Sequence, residues 1–216
     1  MFSIQSDIVI SSYENIETGI SLTPINKSDL LNSILNENLV YSNLFYSVDK
    51  PSLLLSNQDF ESLVFRGLDK NYDINKFNEL FINEGKVLNQ INKNEILISS
   101  SLAQRNDINL NQKIRIFFNK DFSQKIPNVR SFKVIGFFET EFLEFDNNVI
   151  LGNIEDIKDI YSWENNDIGN LNIIIKNKDD IIAYEKTLNS SNYLIENDLR
   201  ASSVFSKNEN IFNWIS

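Results

Sequence analysis

Four carboxylates crowd one short stretch of this 216-residue chain: Glu139, Glu141, Glu144 and Asp146. Paired carboxylates are the working groups of acid–base and glycoside hydrolysis, so this is the first place to look for catalysis. The same acids alternate with Phe138, Phe142 and Phe145, and that alternation puts the carboxylates on a solvated face and the rings in a core. A second acidic run, Glu164-Asn165-Asn166-Asp167, has the rhythm of a calcium loop but lacks its glycine and its distal Glu. The chain has no cysteine and no histidine. That removes thiol nucleophiles, Ser-His-Asp triads and the usual N/S zinc sites together. The six glycines (19, 67, 85, 136, 152, 169) lie at least 16 residues apart, so neither a G-x-G-x-x-G turn nor a P-loop exists. Any nucleotide must be handled by a partner. The expectation is a chain that is not an enzyme and carries no cofactor and no metal.

Charge points to a different kind of feature. The net charge of −10 argues against a nucleic-acid partner. Between Arg105 and Lys133, however, seven basic residues (Arg105, Lys113, Arg115, Lys120, Lys125, Arg130, Lys133) face only Asp107 and Asp121. This segment is +5 and the remainder −15. Lys113–Phe117 and Arg130–Val134 alternate polar with apolar, as two antiparallel strands with one buried face do. Their connection, about 119–129, is longer than a tight hairpin requires and carries Phe122, Ile126 and Pro127, with nothing local to bury them. One reading is a protruding arm that binds a partner through Lys120, Asp121, Phe122, Gln124, Lys125, Ile126, Pro127 and Arg130. The other is a plain surface loop on a basic strand pair.

The elements that position these residues follow from periodicity. Residues 7–13 read as a strand, 27–36 as a helix with apolar Leu30, Leu31, Ile34 and Leu35, and 40–49 as a strand closed by Pro51. The middle holds short β-like runs at 62–66, 95–98, 113–118, 131–138 and 149–151. Among them lie helices near 74–81 and 99–105 and a Glu84-Gly85-Lys86 turn. Strands at this spacing suggest a small barrel-like or sandwich-like unit. A helix at 154–161 follows, then a strand at 170–175, a helix from Asp179 and Asp180 to about Leu188, and a strand at 192–195. The predicted fold class is α+β: a discontinuous β-α-β/β-α-β domain (1–58 and 165–216) with an inserted β-rich subdomain (59–164). No run reaches the roughly 18 apolar residues of a membrane span, and the first seven residues are no signal peptide. The chain reads either as a soluble cytoplasmic protein or as a fragment whose membrane segments lie outside it.

Several runs together resemble a known family. Glu84-Gly85-Lys86, Asn94-Glu-Ile-Leu-Ile-Ser-Ser-Ser-Leu-Ala103, Ile108-Asn-Leu-Asn-Gln-Lys-Ile-Arg-Ile116 and Arg130-Ser-Phe-Lys-Val-Ile-Gly136 are similar, in that order, to the periplasmic core of macrolide-exporter-like ABC permeases. Gly67–Asp73 and Glu139–Asp146 look most like the lipoprotein-releasing permeases of the Bacteroidetes type. Ile211-Phe-Asn-Trp-Ile215 resembles the stretch before those permeases re-enter the membrane. Asn111-Gln112 stands where the family usually has Gly-Asp, and Lys86 where it has Arg.

The resemblance implies a porter-like domain with a β-rich insertion, on the periplasmic side of the inner membrane, between two helices of a dimeric permease. It implies a separate cytoplasmic ATPase, a second permease subunit, an acylated lipoprotein cargo and a periplasmic lipoprotein chaperone recruited by a hairpin arm matching 119–130. A related permease, either a drug or peptide exporter or a cell-division hydrolase activator, is the alternative. A free-standing hydrolase using carboxylates is a third.

Overall fold

The structure, a computed structural model, describes residues 6–35, 37, 39–56, 59–85, 87, 89–119 and 127–207. In chain order the elements begin with β1 (Ile8–Ser12), α1 (Tyr13–Thr18), β2 (Ile25–Asn26), α2 (Lys27–Leu35), β3 (Tyr41–Ser56), β4 (Asp59–Leu68), α3 (Ile74–Phe81) and β5 (Ile82–Gly85). They continue with β6 (Glu95–Ser99), α4 (Ser100–Arg105), β7 (Lys113–Phe118), β8 (Asn128–Phe138), α5 (Leu143–Asn148), β9 (Val149–Asn153) and α6 (Ile154–Tyr161). The last are β10 (Asp167–Ile168), β11 (Asn170–Ile175), a 3-10 turn (Lys178–Asp180), α7 (Ile181–Asn189), α8 (Asn192–Glu196), β12 (Leu199–Ser203) and α9 (Val204–Lys207). The fold is α+β. The chain divides into one unit of Met1–Tyr46 with Asn166–Ser216 and another of Ser47–Asn165. The first crossing lies at 46/47 where the sequence reading had 58/59. From Ser47 onward β3 pairs residue for residue with β4, from Ser47↔Leu68 to Ser56↔Asp59, which assigns its second half to the second unit.

In the first unit β1 is the middle strand, antiparallel to β11 (Ile8↔Ile173, Ile10↔Leu171) and to β12 (Ile8↔Ser203, Ile10↔Ala201). Ile8, Ile10, Leu171, Ile173, Ile175 and Ala201 alternate along their strands and form one core with Leu30 and Ile34 of α2 and Ile181 and Leu188 of α7. Asp7, fully buried before β1, accepts the Ile175 N–H at 2.7 Å and pairs with the Lys178 ammonium, tying β1 to the end of β11.

Residues 192–195, read from sequence as a strand, are helical. The Ser191 hydroxyl accepts the Leu194 N–H at 3.3 Å and caps α8, so a local hydrogen bond overrides the β-like composition. The strand comes later, as β12, whose Leu-Arg-Ala-Ser-Ser has no strong β preference and is held extended by five residue pairs to β1.

The second unit is a closed ring of strands. β3 pairs antiparallel with β4, β4 parallel with β9 (Val64↔Val149 to Leu68↔Asn153), and β9 antiparallel with β6 (Gly152↔Ile96, Leu151↔Leu97). β6 runs parallel to β8, β8 antiparallel to β7, and β7 returns to β3 at Phe117↔Leu53 and Ile116↔Leu54. Closure satisfies strand edges that an open sheet would leave bare. Phe65, Phe118 and Phe132, all fully buried, meet with ring centroids 5.4, 5.1 and 6.2 Å apart. α6 begins where Asn153 accepts the Glu155 N–H at 2.8 Å and buries Ile154, Ile157 and Ile160. α3 is capped by Asp73 and buries Phe77 against Phe81 and Phe138.

Two local readings change here. Pro51 does not close β3; it sits inside the strand opposite Val64. Glu84 and Gly85 are not a free turn but the end of β5, paired with Phe137 and Gly136 of β8 after a bulge. Gly85 has φ +85°, and a Cβ there would stand 2.3 Å from the Ile135 carbonyl oxygen, so glycine is required by both conformation and space. Lys86 lies outside the described residues.

Candidate partner-binding face

The β7–β8 ladder runs from Lys113↔Lys133 to Phe118↔Asn128. Ile114, Ile116, Phe118, Phe132 and Val134 turn inward and are buried, while Lys113, Arg115 and Ser131 are exposed. Lys113 and Lys133 stand directly opposite one another, two like charges that a free sheet would avoid. Arg130, opposite the fully buried Ile116, belongs to the inward row by register yet stays exposed.

The foot of the hairpin is pinned from α6. The Tyr161 hydroxyl donates to the Asn119 carbonyl at 3.2 Å, and burial pushes its phenol up to about 12, which keeps the donor proton in place. Lys50 points its ammonium at the faces of Tyr161 and Trp163, 4.3 and 4.4 Å from the ring centroids, and burial lowers its pKa to about 8. Asp156 accepts the Asn94 N–H at 3.0 and 3.2 Å. Burial raises its carboxyl to about 6, against the opposing pull of that hydrogen bond, Lys93 and Arg130.

Of the arm residues singled out from sequence, Pro127 and Arg130 are seen and are exposed at the start of β8. Lys120, Asp121, Phe122, Gln124, Lys125 and Ile126 lie outside the described residues. The structure adds a feature the sequence reading missed. Phe60 and Leu55 face each other across β4 and β3, Leu53 faces Phe117 across β3 and β7, and Phe117 faces Val129 across β7 and β8. The Phe60 and Phe117 rings meet edge-to-face at 5.4 Å. Phe60 is 58% exposed and Val129 45%, so this is an outward apolar row with Arg115 and Lys113 beside it. The signal was in the Leu53-Leu54-Leu55 and Phe117-Phe118 runs: consecutive apolar residues in a strand cover both faces.

The acidic stretch departs from its expected alternation. Asp146 is buried, not solvated: its carboxylate accepts the Thr140 N–H at 3.0 Å and the Thr140 hydroxyl at 2.5 Å. Phe142 is on the surface instead of in the core, while Phe138 and Phe145 are buried and meet at a tilt with ring centroids 5.8 Å apart. The helix α5, absent from the sequence reading, turns the register so that Asp146 and not Phe142 faces inward. Glu139 accepts from the Asn83 amide at 2.8 Å, and Glu141 and Glu144 are exposed. In the run 164–167, the Asn165 carbonyl accepts from Lys158 and Asp167 joins β10. Among the described residues no three acidic side chains converge as a metal site, and no helix is long and apolar enough to cross a membrane.

No family model and no curated protein matches the chain. Solved structures do. The periplasmic region of MacB from Actinobacillus actinomycetemcomitans superposes with a TM-score of 0.60 at 14% identity, covering 95% of this chain and 92% of that one. The extracellular domain of the noncanonic ABC-type transporter YknZ from Gram-positive bacteria gives 0.56 at 12% identity, covering 91% and 99%. The chain has their fold. At these identities the likeness is one of architecture, and it runs through both units.

Proposed function

We propose that this chain is the extracytoplasmic domain of the membrane-spanning subunit of an ABC permease of the lipoprotein-releasing kind. The observation that carries the reading is the coverage in both directions: nearly all of this chain matches nearly all of the periplasmic region of MacB and of the extracellular domain of the noncanonic ABC-type transporter YknZ. In this reading the domain is non-catalytic, and a separate cytoplasmic ATPase works on a dimeric permease in the inner membrane. Motion driven from the cytoplasmic side is passed through the domain. Residues 119–129, on the β7–β8 stem, dock a periplasmic chaperone that receives an acylated lipoprotein. Phe122, Ile126 and Pro127 serve as apolar anchors, and Lys120, Lys125 and Arg130 steer an acidic partner. The likeness to MacB and YknZ favours one second reading, a related permease of another role such as a drug or peptide exporter or a cell-division hydrolase activator.

Two measurements test this. The full-length gene product should fractionate with the inner membrane and co-purify with an ATPase subunit; a soluble product without one refutes the permease reading. Replacing Phe122 and Ile126 by Ser should weaken binding of the purified lipoprotein chaperone by about 1–3 kcal/mol with the melting temperature unchanged. Unchanged binding removes the recruiting role and leaves the second reading.

A further inference from the structure

The second unit carries two surfaces of opposite chemistry. One is the row Phe60, Leu55, Phe117 and Val129 with Lys113, Arg115 and Lys133 running along β7 and β8 from it. The other is the turn from β8 into α5, where Phe142 is exposed and Leu143, at 77%, is more exposed than the apolar side chains of the row. Three exposed acids flank them along the chain: Glu139, Glu141 and Glu144. This turn is a shaped knob and not a loose loop. Glu141 holds a positive φ of 65°, and the buried Asp146 carboxylate clamps the Thr140 amide and hydroxyl beneath it. Among the described residues, Lys113, Arg115, Lys133, Glu141 and Glu144 enter no ion pair. Apolar side chains flanked by charge without an ion-pair partner, one set basic and one acidic, are what two halves of an interface look like when separated.

We infer that a second copy of this chain covers the apolar row, with the Phe142–Leu143 knob of one copy seated on the Phe60–Phe117 row of the other. In that seat Glu141 and Glu144 lie against Arg115 and Lys113 of the neighbour. Pairing row to row sets Lys113, Arg115 and Lys133 against themselves, and knob to knob does the same with the acids, so charge selects the mixed contact. A pre-formed knob loses little conformational freedom on docking. The copies each carry −10, and their mutual repulsion keeps the contact weak, so it operates where two copies are held near each other. This assignment does not depend on which kind of permease the chain serves.

Sedimentation velocity on the purified chain, at physiological ionic strength and up to the millimolar range, tests it. The parent chain is expected to self-associate with concentration. Leu143→Ser, K113E/R115E and E141K/E144K should each weaken association at least about tenfold, with circular dichroism and melting temperature unchanged. An equimolar mixture of the K113E/R115E and E141K/E144K chains should associate where neither does alone, since each supplies the reversed half the other lacks. A parent that stays monomeric throughout overturns the proposal. So does association that Leu143→Ser leaves intact, or a mixture that fails to recover it.

Discussion

Gly152 offers the sharpest test of the barrel. A Cβ at this position would stand 2.2 Å from Cζ of Phe65, 2.6 Å from Cε1 and 3.2 Å from Cε2. Carbon atoms settle at roughly 3.5–4.0 Å, so the ring would have to move by more than about 1 Å. It has nowhere to go, because Phe118 and Phe132 stand 5.4 and 5.1 Å away by centroid and Phe65 has no exposed surface. Nor can β9 retreat, since Gly152 pairs with Gly67 on one side and with Ile96 on the other. Gly152→Ala should therefore fall at the upper end of overpacking, about 3 kcal/mol, lowering the melting temperature by roughly 6–12 °C. Phe65→Leu removes the ring edge that clashes and leaves a cavity costing about 1–2 kcal/mol by itself. In the double variant the added methyl fills part of that cavity, so the combined loss should be smaller than the sum by at least about 1 kcal/mol. Urea unfolding of the four proteins measures all three quantities. A Gly152→Ala loss below about 0.5 kcal/mol, or strict additivity, would mean that Phe65 does not occupy this space.

Three further outcomes follow from named contacts. Asp156 is pushed up to about 6 by burial, so folding takes up a proton there; the resulting stability is present below the ordinary carboxylate value of 3.8 and is lost as pH rises through about 6. Asp156→Asn keeps an acceptor for the Asn94 N–H and should exceed the parent by about 1 kcal/mol at pH 7.5 and match it near pH 4, and parallel stability curves would contradict this. Arg66 donates two hydrogen bonds to Asp49 at 2.7 and 3.0 Å and lies over Phe145, so Asp49→Ala should cost about 2 kcal/mol and Asp49→Ala with Arg66→Met distinctly less. Asp146→Ala strips Thr140 of two acceptors in a buried place and should cost about 2–3 kcal/mol by urea unfolding; a near-neutral result would show that water replaces the clamp.

Strong local signals in the residues carried straight into the structure. The Lys113–Phe118 alternation is β7, the Ile74–Phe81 and Ile154–Tyr161 patterns are α3 and α6, and Asn170–Ile175 is β11. Where a single side-chain hydrogen bond decided the outcome, composition misled: Ser191 turned a β-like run into α8, and Ser12, accepting the Asn15 N–H at 3.2 Å, started α1 at Tyr13, the last residue of the run 7–13 that reads as a strand. Ring closure was out of reach for another reason. It rests on pairings between residues more than 50 apart, such as Leu53↔Phe117 and Ile96↔Gly152, and no local pattern encodes which strand meets which. The exposed apolar row was hidden for the same reason, because Phe60, Leu55, Phe117 and Val129 become neighbours only once β3 meets β7. The arm expected at 119–129 lies largely outside the described residues, so its stem alone is visible.

The ring is unevenly stitched. Among the described residues, β3 joins β7 through two residue pairs and β6 joins β9 through two, whereas β3 and β4 share ten. It is therefore two three-stranded halves, centred on β4 and β8, fastened along two short zips. Thermal breathing should begin at those zips, with the amides that bridge β3 and β7 at Leu53–Leu54 and Ile116–Phe117 exchanging with solvent deuterium ahead of those that bond β3 to β4. The exposed row straddles the first zip, with Phe60 and Leu55 on one half and Phe117 and Val129 on the other. Whatever seats itself there clasps the halves together, so occupancy can be read as slowed exchange of the amides that bridge β3 and β7.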